Sequence, residues 1–160
     1  MNEIQTKLHN ILKKGLNDQE SWSAARNPNC SPNTLHMVLE RNQDDGVSEF
    51  ASENPSCSPE ALKMVLERNN NDRVSEWAAR NPNCSPETLK MVLKRNIDDV
   101  ISYWAAKNPN CNPKDKIQWM RNTGKIIKEN PQKHIIDKID KIDKITENKE
   151  LTQLKNLIKD

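Results

Sequence analysis

A six-residue motif recurs four times in this chain at a fixed spacing of 27 residues. It reads Asn-Pro-x-Cys-x-Pro, where the fifth residue is Ser or, in the last copy, Asn, and the copies begin at Asn27, Asn54, Asn81 and Asn108. Recurrence at one period is typical of repeat proteins, whose units bury their apolar faces against their neighbours. One unit alone would not fold. About six or seven buried apolar side chains stabilise it by roughly 1.5–3 kcal/mol each, whereas ordering each residue costs on the order of 1.5 kcal/mol.

Each unit is predicted to begin with a longer helix. Leu35, Val38 and Leu39 have the i, i+3, i+4 spacing of one helix face, and their pattern returns 27 residues later. Ser31 stands where an N-cap residue should, and Pro32 follows at the first helical position, where a missing N–H costs nothing. The longer helix is therefore expected to start at the second proline of each motif and to end at an Arg-Asn pair.

A shorter helix is predicted to follow in each unit. Its apolar face is Val47, Phe50 and Ala51, and Trp77 and Trp104 take the Phe50 position in later units. The helix must end before the next Asn-Pro pair, because a residue that precedes proline is pushed out of the helical region. We expect Trp77 and Trp104 to be buried between the layers of the stack.

The strict repeats are expected to span residues 20–121, with altered units at both ends. Residues 1–19 are interpreted as an N-terminal capping helix, a degenerate copy of the longer helix closed by Gly15 in a left-handed conformation. The first shorter helix is also degenerate, and Trp22 is expected to supply its missing bulk.

The C-terminal segment, residues 122–160, is predicted to be helical from about 131 to 145 and again near 149–159. It is interpreted as a cap on the last repeat, with a partner-binding amphipathic tail as the alternative. Ahead of it, a shifted apolar face is predicted at Ile117, Trp119 and Met120.

The composition leaves little material for a core, since 34% of the residues are hydrophobic and 30% are charged. Only the periodic placement of the apolar residues favours a folded chain. With 25 basic and 23 acidic side chains the net charge is +2, which gives no general reason to expect nucleic acid or an anionic membrane as partner. No apolar stretch approaches the ~18–20 residues of a spanning helix, so we expect no membrane contact and a cytoplasmic location.

The four cysteines lie at positions 30, 57, 84 and 111. Equivalent atoms in stacked helices are about 8–10 Å apart, too far for a shared zinc ion or a disulfide. We therefore predict small, buried, reduced cysteines, although a metal or redox role stays open as the least favoured function.

Arg41, Arg68 and Arg95 form a row with a regular rise, which we call the arginine row. Three guanidinium groups at such spacing suit phosphates or a carboxylate-bearing peptide. The alternative is structural, because each lies in the last turn of its helix, where the dipole favours a cation. As exposed dipole partners they would contribute under roughly 1 kcal/mol each.

Partner contacts are also predicted at the variable polar positions His36, Lys63 and Lys90 of the longer helices. Repeat proteins select their partners through surface positions, because scaffold positions cannot vary without unfolding the stack.

Three further rows are assigned structural roles. The charged row of mixed sign is expected to be a solvated face, the methionine row to pack in the core, and the asparagine row to satisfy backbone groups in the turns. The charged row consists of Arg26, Glu53, Arg80 and Lys107. The methionine row consists of Met37, Met64 and Met91, and the asparagine row of Asn27, Asn54, Asn81 and Asn108.

Catalysis finds little support in the sequence. The histidines are His9, His36 and His134, and the first two occupy equivalent positions on a polar helix face. With three glycines in the chain there is no phosphate-cradling loop, and there is no serine nucleophile elbow. We predict a non-enzyme.

The segment Ala-Arg-Asn-Pro-Asn-Cys-Ser-Pro-Glu-Thr-Leu, at residues 79–89, resembles the unit of the leucine-rich repeat variant family, roughly Ala-x-Asn-Pro-Asn-Thr-Pro-Pro-Glu-x-Leu. The resemblance covers about residues 20–121, and it implies a right-handed superhelix. The unit here is a few residues longer, and Cys replaces the usual Thr. One member of that family carries an iron–sulfur cluster in a separate cysteine-rich segment, which this sequence lacks, so no cofactor is expected.

The predicted fold is all-α: a right-handed α-solenoid of about four 27-residue two-helix repeats with capping helices at both ends. The predicted function is a non-catalytic, monomeric scaffold that binds a protein or peptide. Binding of a nucleic-acid backbone through the arginine row is the alternative, and near-neutral charge favours the first function.

Overall fold

The computed structural model describes residues 2–125, and this part of the chain is entirely helical, with nine α-helices and no strand. The predicted helices at 131–145 and 149–159, and the choice between a cap and a tail, lie outside the described residues. The helices are α1 (Glu3–Leu12), α2 (Gln19–Arg26), α3 (Pro32–Glu40), α4 (Gly46–Glu53), α5 (Pro59–Glu67), α6 (Arg73–Arg80), α7 (Pro86–Lys94), α8 (Val100–Lys107) and α9 (Pro113–Asn122).

These helices form two layers. The short helices α2, α4, α6 and α8 pack side by side in one layer, and the longer helices α1, α3, α5, α7 and α9 follow one another in the other. Each of the first four longer helices also packs against the short helix that comes after it. Successive neighbours in two layers are the arrangement of an α-solenoid.

The short layer is the more tightly packed of the two. Its helices face one another with Ala and Ser, such as Ala51 and Ser52 of α4, which are fully buried. Small side chains allow helix axes to approach closely. The longer helices meet through Leu and Val side chains and lie further apart.

The helix starts follow the predicted capping chemistry. Ser31 Oγ accepts from the Thr34 amide at 3.2 Å, and Ser58 and Ser85 cap α5 and α7 in the same way. The short helices have caps that the sequence analysis did not identify, because an aspartate carboxylate accepts from the amide three residues later. These caps are Asp18, Asp45, Asp72 and Asp99.

The first four longer helices end close to a residue in the left-handed backbone conformation. Gly15 has φ +69 after α1, as predicted. Asn42, Asn69 and Asn96 have φ 54, 58 and 54 after the next three longer helices, and asparagine tolerates this region better than most residues do. The short helices end before each Asn-Pro pair, where Asn54 is extended with ψ 131.

The core contains the predicted leucines and valines of the longer helices, all essentially inaccessible to solvent. Three expectations about bulky residues are wrong. Trp77 and Trp104 are half-buried rather than enclosed between layers, and the guanidinium group of Arg80 lies against both rings. Ile117 is exposed, whereas Trp119 is buried and closes the last helix pair, donating from Nε1 to Ile97 O at 2.9 Å.

Asn54, Asn81 and Asn108 of the asparagine row connect successive units, which goes beyond their predicted role in the turns. Asn81 Nδ2 donates to Ser52 O at 2.7 Å and to Asn54 O at 3.1 Å, and both acceptors belong to the preceding unit. Its Oδ1 accepts from the Asn83 amide at 2.9 Å. Ser52 O is one of the last carbonyls of α4, which has no partner within its own helix. Each unit therefore caps the short helix of the unit before it.

None of the helices in the described part is long and apolar enough to cross a membrane.

Candidate partner-binding surface

The arginine row lies at the C-terminal ends of α3, α5 and α7, and its guanidinium groups are held by the chain itself. Arg41 Nε donates to Val38 O at 3.2 Å, and its Nη2 lies 3.3 Å from Asp45. Arg95 makes the same contacts, 3.1 Å to Val92 O and 3.4 Å to Asp99.

The same arginines also reach the preceding unit. Arg68 Nη2 donates to Leu39 O, and Arg95 Nη1 donates to Asn69 Oδ1. Arg95 joins its helix end, the next N-cap and the preceding unit, while Arg41 makes the first two of these contacts and Arg68 the third. The arginine row is therefore a structural element of the stack. The expected contribution of under roughly 1 kcal/mol, which assumed exposed dipole partners, does not fit these half-buried side chains.

The other predicted contact residues lie on the outer face of the longer layer. His36 is 3.4 Å from Glu40, and Lys63 is 3.5 Å from Glu67. Lys90 is 3.9 Å from Asp115 of α9. The two lysine pairs are exposed ion pairs of a kind that contributes little to stability, so Lys63 and Lys90 are available to exchange partners.

The opposite layer carries a second surface, which the sequence analysis missed. Partly exposed aromatic side chains recur along its short helices, and we call this surface the aromatic face; its rings are Trp22, Phe50, Trp77, Tyr103 and Trp104. Trp22 is 38% exposed and Tyr103 is 41% exposed. Trp22 meets Phe50 edge to face at 6.4 Å between centroids, and Tyr103 meets Trp104 at 5.1 Å.

Cations from the charged row of mixed sign stack on these rings. Arg26 Cζ lies 4.2 Å from the Phe50 centroid. Arg80 Cζ lies 3.6 Å from the Trp104 centroid and 4.7 Å from that of Trp77. The prediction of a simple solvated face is therefore wrong for Arg80, whose buried Nε has no hydrogen-bond partner among the described residues.

Carboxylate groups also lie on the aromatic face, paired with arginines. Glu76 lies 3.0 Å from Arg80, and Glu49 of α4 lies 3.3 Å from Arg73 of α6. Burial raises the pKa of Glu49, and the nearby Asp44, Asp45 and Glu76 raise it further, while Arg73 opposes the shift. The face thus combines rings with charges of both signs.

Close packing at Gly46 positions the first ring of the aromatic face. A Cβ built on Gly46 would lie 2.9 Å from Trp22 Nε1, so the indole rests against the glycine backbone at the start of α4. Trp22 Nε1 donates to Asn17 Oδ1 at 2.6 Å. Trp22 therefore contributes its bulk at the surface rather than in the core.

A shallow depression adjoins the other end of the aromatic face. It is lined by Asn71, Asp98, Asp99, Val100, Tyr103 and Trp104. Val100 is 49% exposed, so an apolar edge lies beside polar groups. Such mixed recesses suit the side chains of a partner.

The four cysteines have free thiols. Three are buried as predicted, and Cys111 is half-buried. Burial raises the pKa of Cys30 to about 11 and that of Cys57 and Cys84 to about 12. In residues 2–125 no three His, Cys, Asp or Glu side chains are grouped closely enough to hold a metal ion.

The spacing of aromatic and charged residues in the sequence could have identified the aromatic face. Trp77 and Arg80 are three residues apart, one helical turn, as are Phe50 with Glu53 and Trp104 with Lys107. The prediction of core rings and a solvent-facing charged row is therefore incomplete, because this spacing places rings and charges on one side of the helix.

Comparisons of this chain with protein-family models, with curated proteins and with solved structures found no match.

Proposed function

We propose that this chain is a non-catalytic helical-repeat scaffold that binds a protein or peptide partner on its aromatic face. The observation that carries the proposal is the run of partly exposed rings along consecutive short helices, from Trp22 to Trp104. Aromatic side chains and arginine are the residues that most often dominate binding energy at protein interfaces. Rings repeated from unit to unit offer an extended partner several anchoring points.

The contrast between the two candidate surfaces supports this choice. The guanidinium groups of the arginine row already have carbonyl and carboxylate partners, so phosphate binding would require those hydrogen bonds to break. Tyr103 and Val100 expose apolar surface that gains free energy when a partner covers it. A right-handed α-solenoid with a 27-residue unit, related to the leucine-rich repeat variant family, is the architecture we propose for this scaffold.

The proposal is tested by capture from native lysate with wild-type, Tyr103→Ala and Ile4→Ala baits. Ile4 is 53% exposed on α1 of the other layer, so its variant also removes exposed apolar surface and serves as the matched control. We expect the same protein with wild type and Ile4→Ala, and a loss of about tenfold or more with Tyr103→Ala. Equal capture by both variants would contradict the proposal.

Nuclease-treated and untreated arms separate the two partner classes. A protein partner survives nuclease treatment, and its affinity falls only gently with salt. A nucleic-acid partner is lost with nuclease, and its affinity falls linearly with log salt at a slope set by the phosphates contacted. That second outcome would favour the arginine row.

A further inference from the structure

Cations stack on the rings of the aromatic face in a regular pattern, and one unit departs from that pattern. The residue that ends a short helix lies over the ring of the next unit: Arg26 covers Phe50, and Arg80 covers Trp104. The equivalent residue between them is Glu53, which ends α4. On the α4 side of Trp77, no cation of the described residues takes the place that Arg26 and Arg80 take elsewhere.

The surroundings of this gap carry negative charge. Glu53 is exposed, and Glu49 lies one turn earlier on α4. Glu49 has a cationic partner at 3.3 Å, Arg73, which is itself 70% exposed and therefore weakly held. Glu53 stands at the helix position that Arg26 and Arg80 take in the neighbouring units, and it has no salt-bridge partner among the described residues. Trp77 meets a cation on its other side, where Arg80 Cζ lies 4.7 Å from the ring centroid, so the place on the α4 side is the one without a cation.

A ring and an adjacent carboxylate are the two groups that bind a guanidinium. The planar cation stacks on the ring, while its N–H groups donate to the carboxylate. The chain itself supplies the example one unit later, where Arg80 stacks on Trp104 and pairs with Glu76 at 3.0 Å.

Resting on the proposed function, we propose that the gap between Glu53 of α4 and Trp77 of α6 binds an arginine side chain of the partner. The partner's guanidinium takes the place that Arg26 and Arg80 occupy in the neighbouring units. The partner is therefore a protein or peptide segment with an exposed arginine, and Glu53 sets the position of that arginine along the aromatic face.

The direct test titrates the ¹⁵N-labelled protein with the peptide acetyl-Gly-Arg-Gly-amide and follows the indole N–H signals. We expect a saturable shift of the Trp77 signal, and no shift with the citrulline peptide, a neutral planar analogue. Glu53→Arg fills the gap with the chain's own cation, as in the neighbouring units, and should weaken binding by about tenfold or more. Glu53→Gln, which keeps the shape and removes the charge, should weaken it less.

The matched control is Glu60→Arg, which makes the same charge change on exposed α5 in the other layer and should leave the titration unchanged. Equal binding by Glu53→Arg and wild type, or equal shifts with arginine and citrulline, would overturn the inference. A thermal melt of each variant confirms folding, and Glu53→Gln keeps the test valid if Glu53→Arg fails to fold.

Lysate capture separates this inference from the proposed function. Loss of the partner with both Glu53→Arg and Tyr103→Ala supports both. Loss with Tyr103→Ala alone overturns the arginine site and leaves the aromatic face as the binding surface. Retention in both variants overturns the two together.

Discussion

Arg80 stacks on Trp104 with its guanidinium carbon 3.6 Å from the ring centroid, which joins the end of α6 to the short helix of the next unit. The same guanidinium lies 4.7 Å from the Trp77 centroid, so it is placed between two indoles. A cation in this position contributes to the stack through packing as well as charge. The aromatic face is thus part of the contact between units as well as the surface that we propose for a partner.

The Arg80–Trp104 pair should show a coupling free energy of about 1 kcal/mol in a double-mutant cycle of Arg80→Ala and Trp104→Leu, because the contact is partly desolvated. Urea unfolding of the four proteins measures it. Arg73→Ala, which removes an exposed cation on the same helix, should be additive with Trp104→Leu. A zero coupling for Arg80 would mean that the stacking contributes nothing.

Replacing Asn81 with alanine should destabilise the protein by about 3 kcal/mol, because Ser52 O loses its donor and stays buried, and Asn54 O keeps only the Cys57 amide as donor. Asn27→Ala is the matched control. Asn27 accepts from the Asn29 amide in the same way, at 2.9 Å, but in the described residues it donates to no preceding unit. We expect Asn27→Ala to lower the free energy of unfolding by about 1 kcal/mol. Equal losses in chemical denaturation would refute a role of the amide between units.

The helix boundaries could be predicted from the sequence because they depend on local chemistry. Ser31 before Pro32 fixes a helix start, and Asn54 before a proline fixes a helix end, without information from distant residues. The buried face of the longer helices follows in the same way from the spacing of Leu35 and Val38.

The aromatic face could not be predicted fully, since it depends on contacts 24 residues apart. Arg26 meets Phe50, and Arg80 meets Trp104, only after the short helices have packed side by side. Spacing within a helix places Trp77 on an apolar edge but does not say whether another helix covers it.

Arg95→Gln should lower the free energy of unfolding by about 1–2 kcal/mol, because the guanidinium group donates to Val92 O, Asp99 and Asn69. Lys94→Gln, one position earlier and exposed, should cost less than about 0.5 kcal/mol. Thermal unfolding of both variants at equal ionic strength compares them. If Arg95→Gln were as stable as Lys94→Gln, the arginine row would be free for a partner.

The thiols should differ in reactivity. At pH 8, iodoacetamide followed by mass spectrometry should find Cys111 modified first, because it is the only half-buried cysteine of the four. Cys57 and Cys84 should resist, since burial raises the pKa of both to about 12. In denaturant all four should react alike. Alkylation of native Cys57 as fast as Cys111 would contradict its buried position.

The same shifts predict a loss of stability at high pH. Below pH 9.0, the ordinary thiol pKa, the cysteines are protonated in both the folded and the unfolded state. As the pH rises toward about 12, thiols of the unfolded chain ionise while Cys57 stays protonated, so the free energy of unfolding falls. Replacing Cys57 with alanine should flatten this dependence in denaturation curves measured at pH 8 and pH 10.5.

The indole N–H signals of the ¹⁵N-labelled protein, followed while the captured partner is added, report whether the partner binds on the aromatic face. We predict that the signals of Trp22, Trp77 and Trp104 shift, while the signal of Trp119, which is 3% exposed and bonded to Ile97 O, keeps its position. Unchanged signals from the first three indoles, together with shifts of the Nε–H signals of Arg41 and Arg95, would contradict it and move the binding surface to the arginine row.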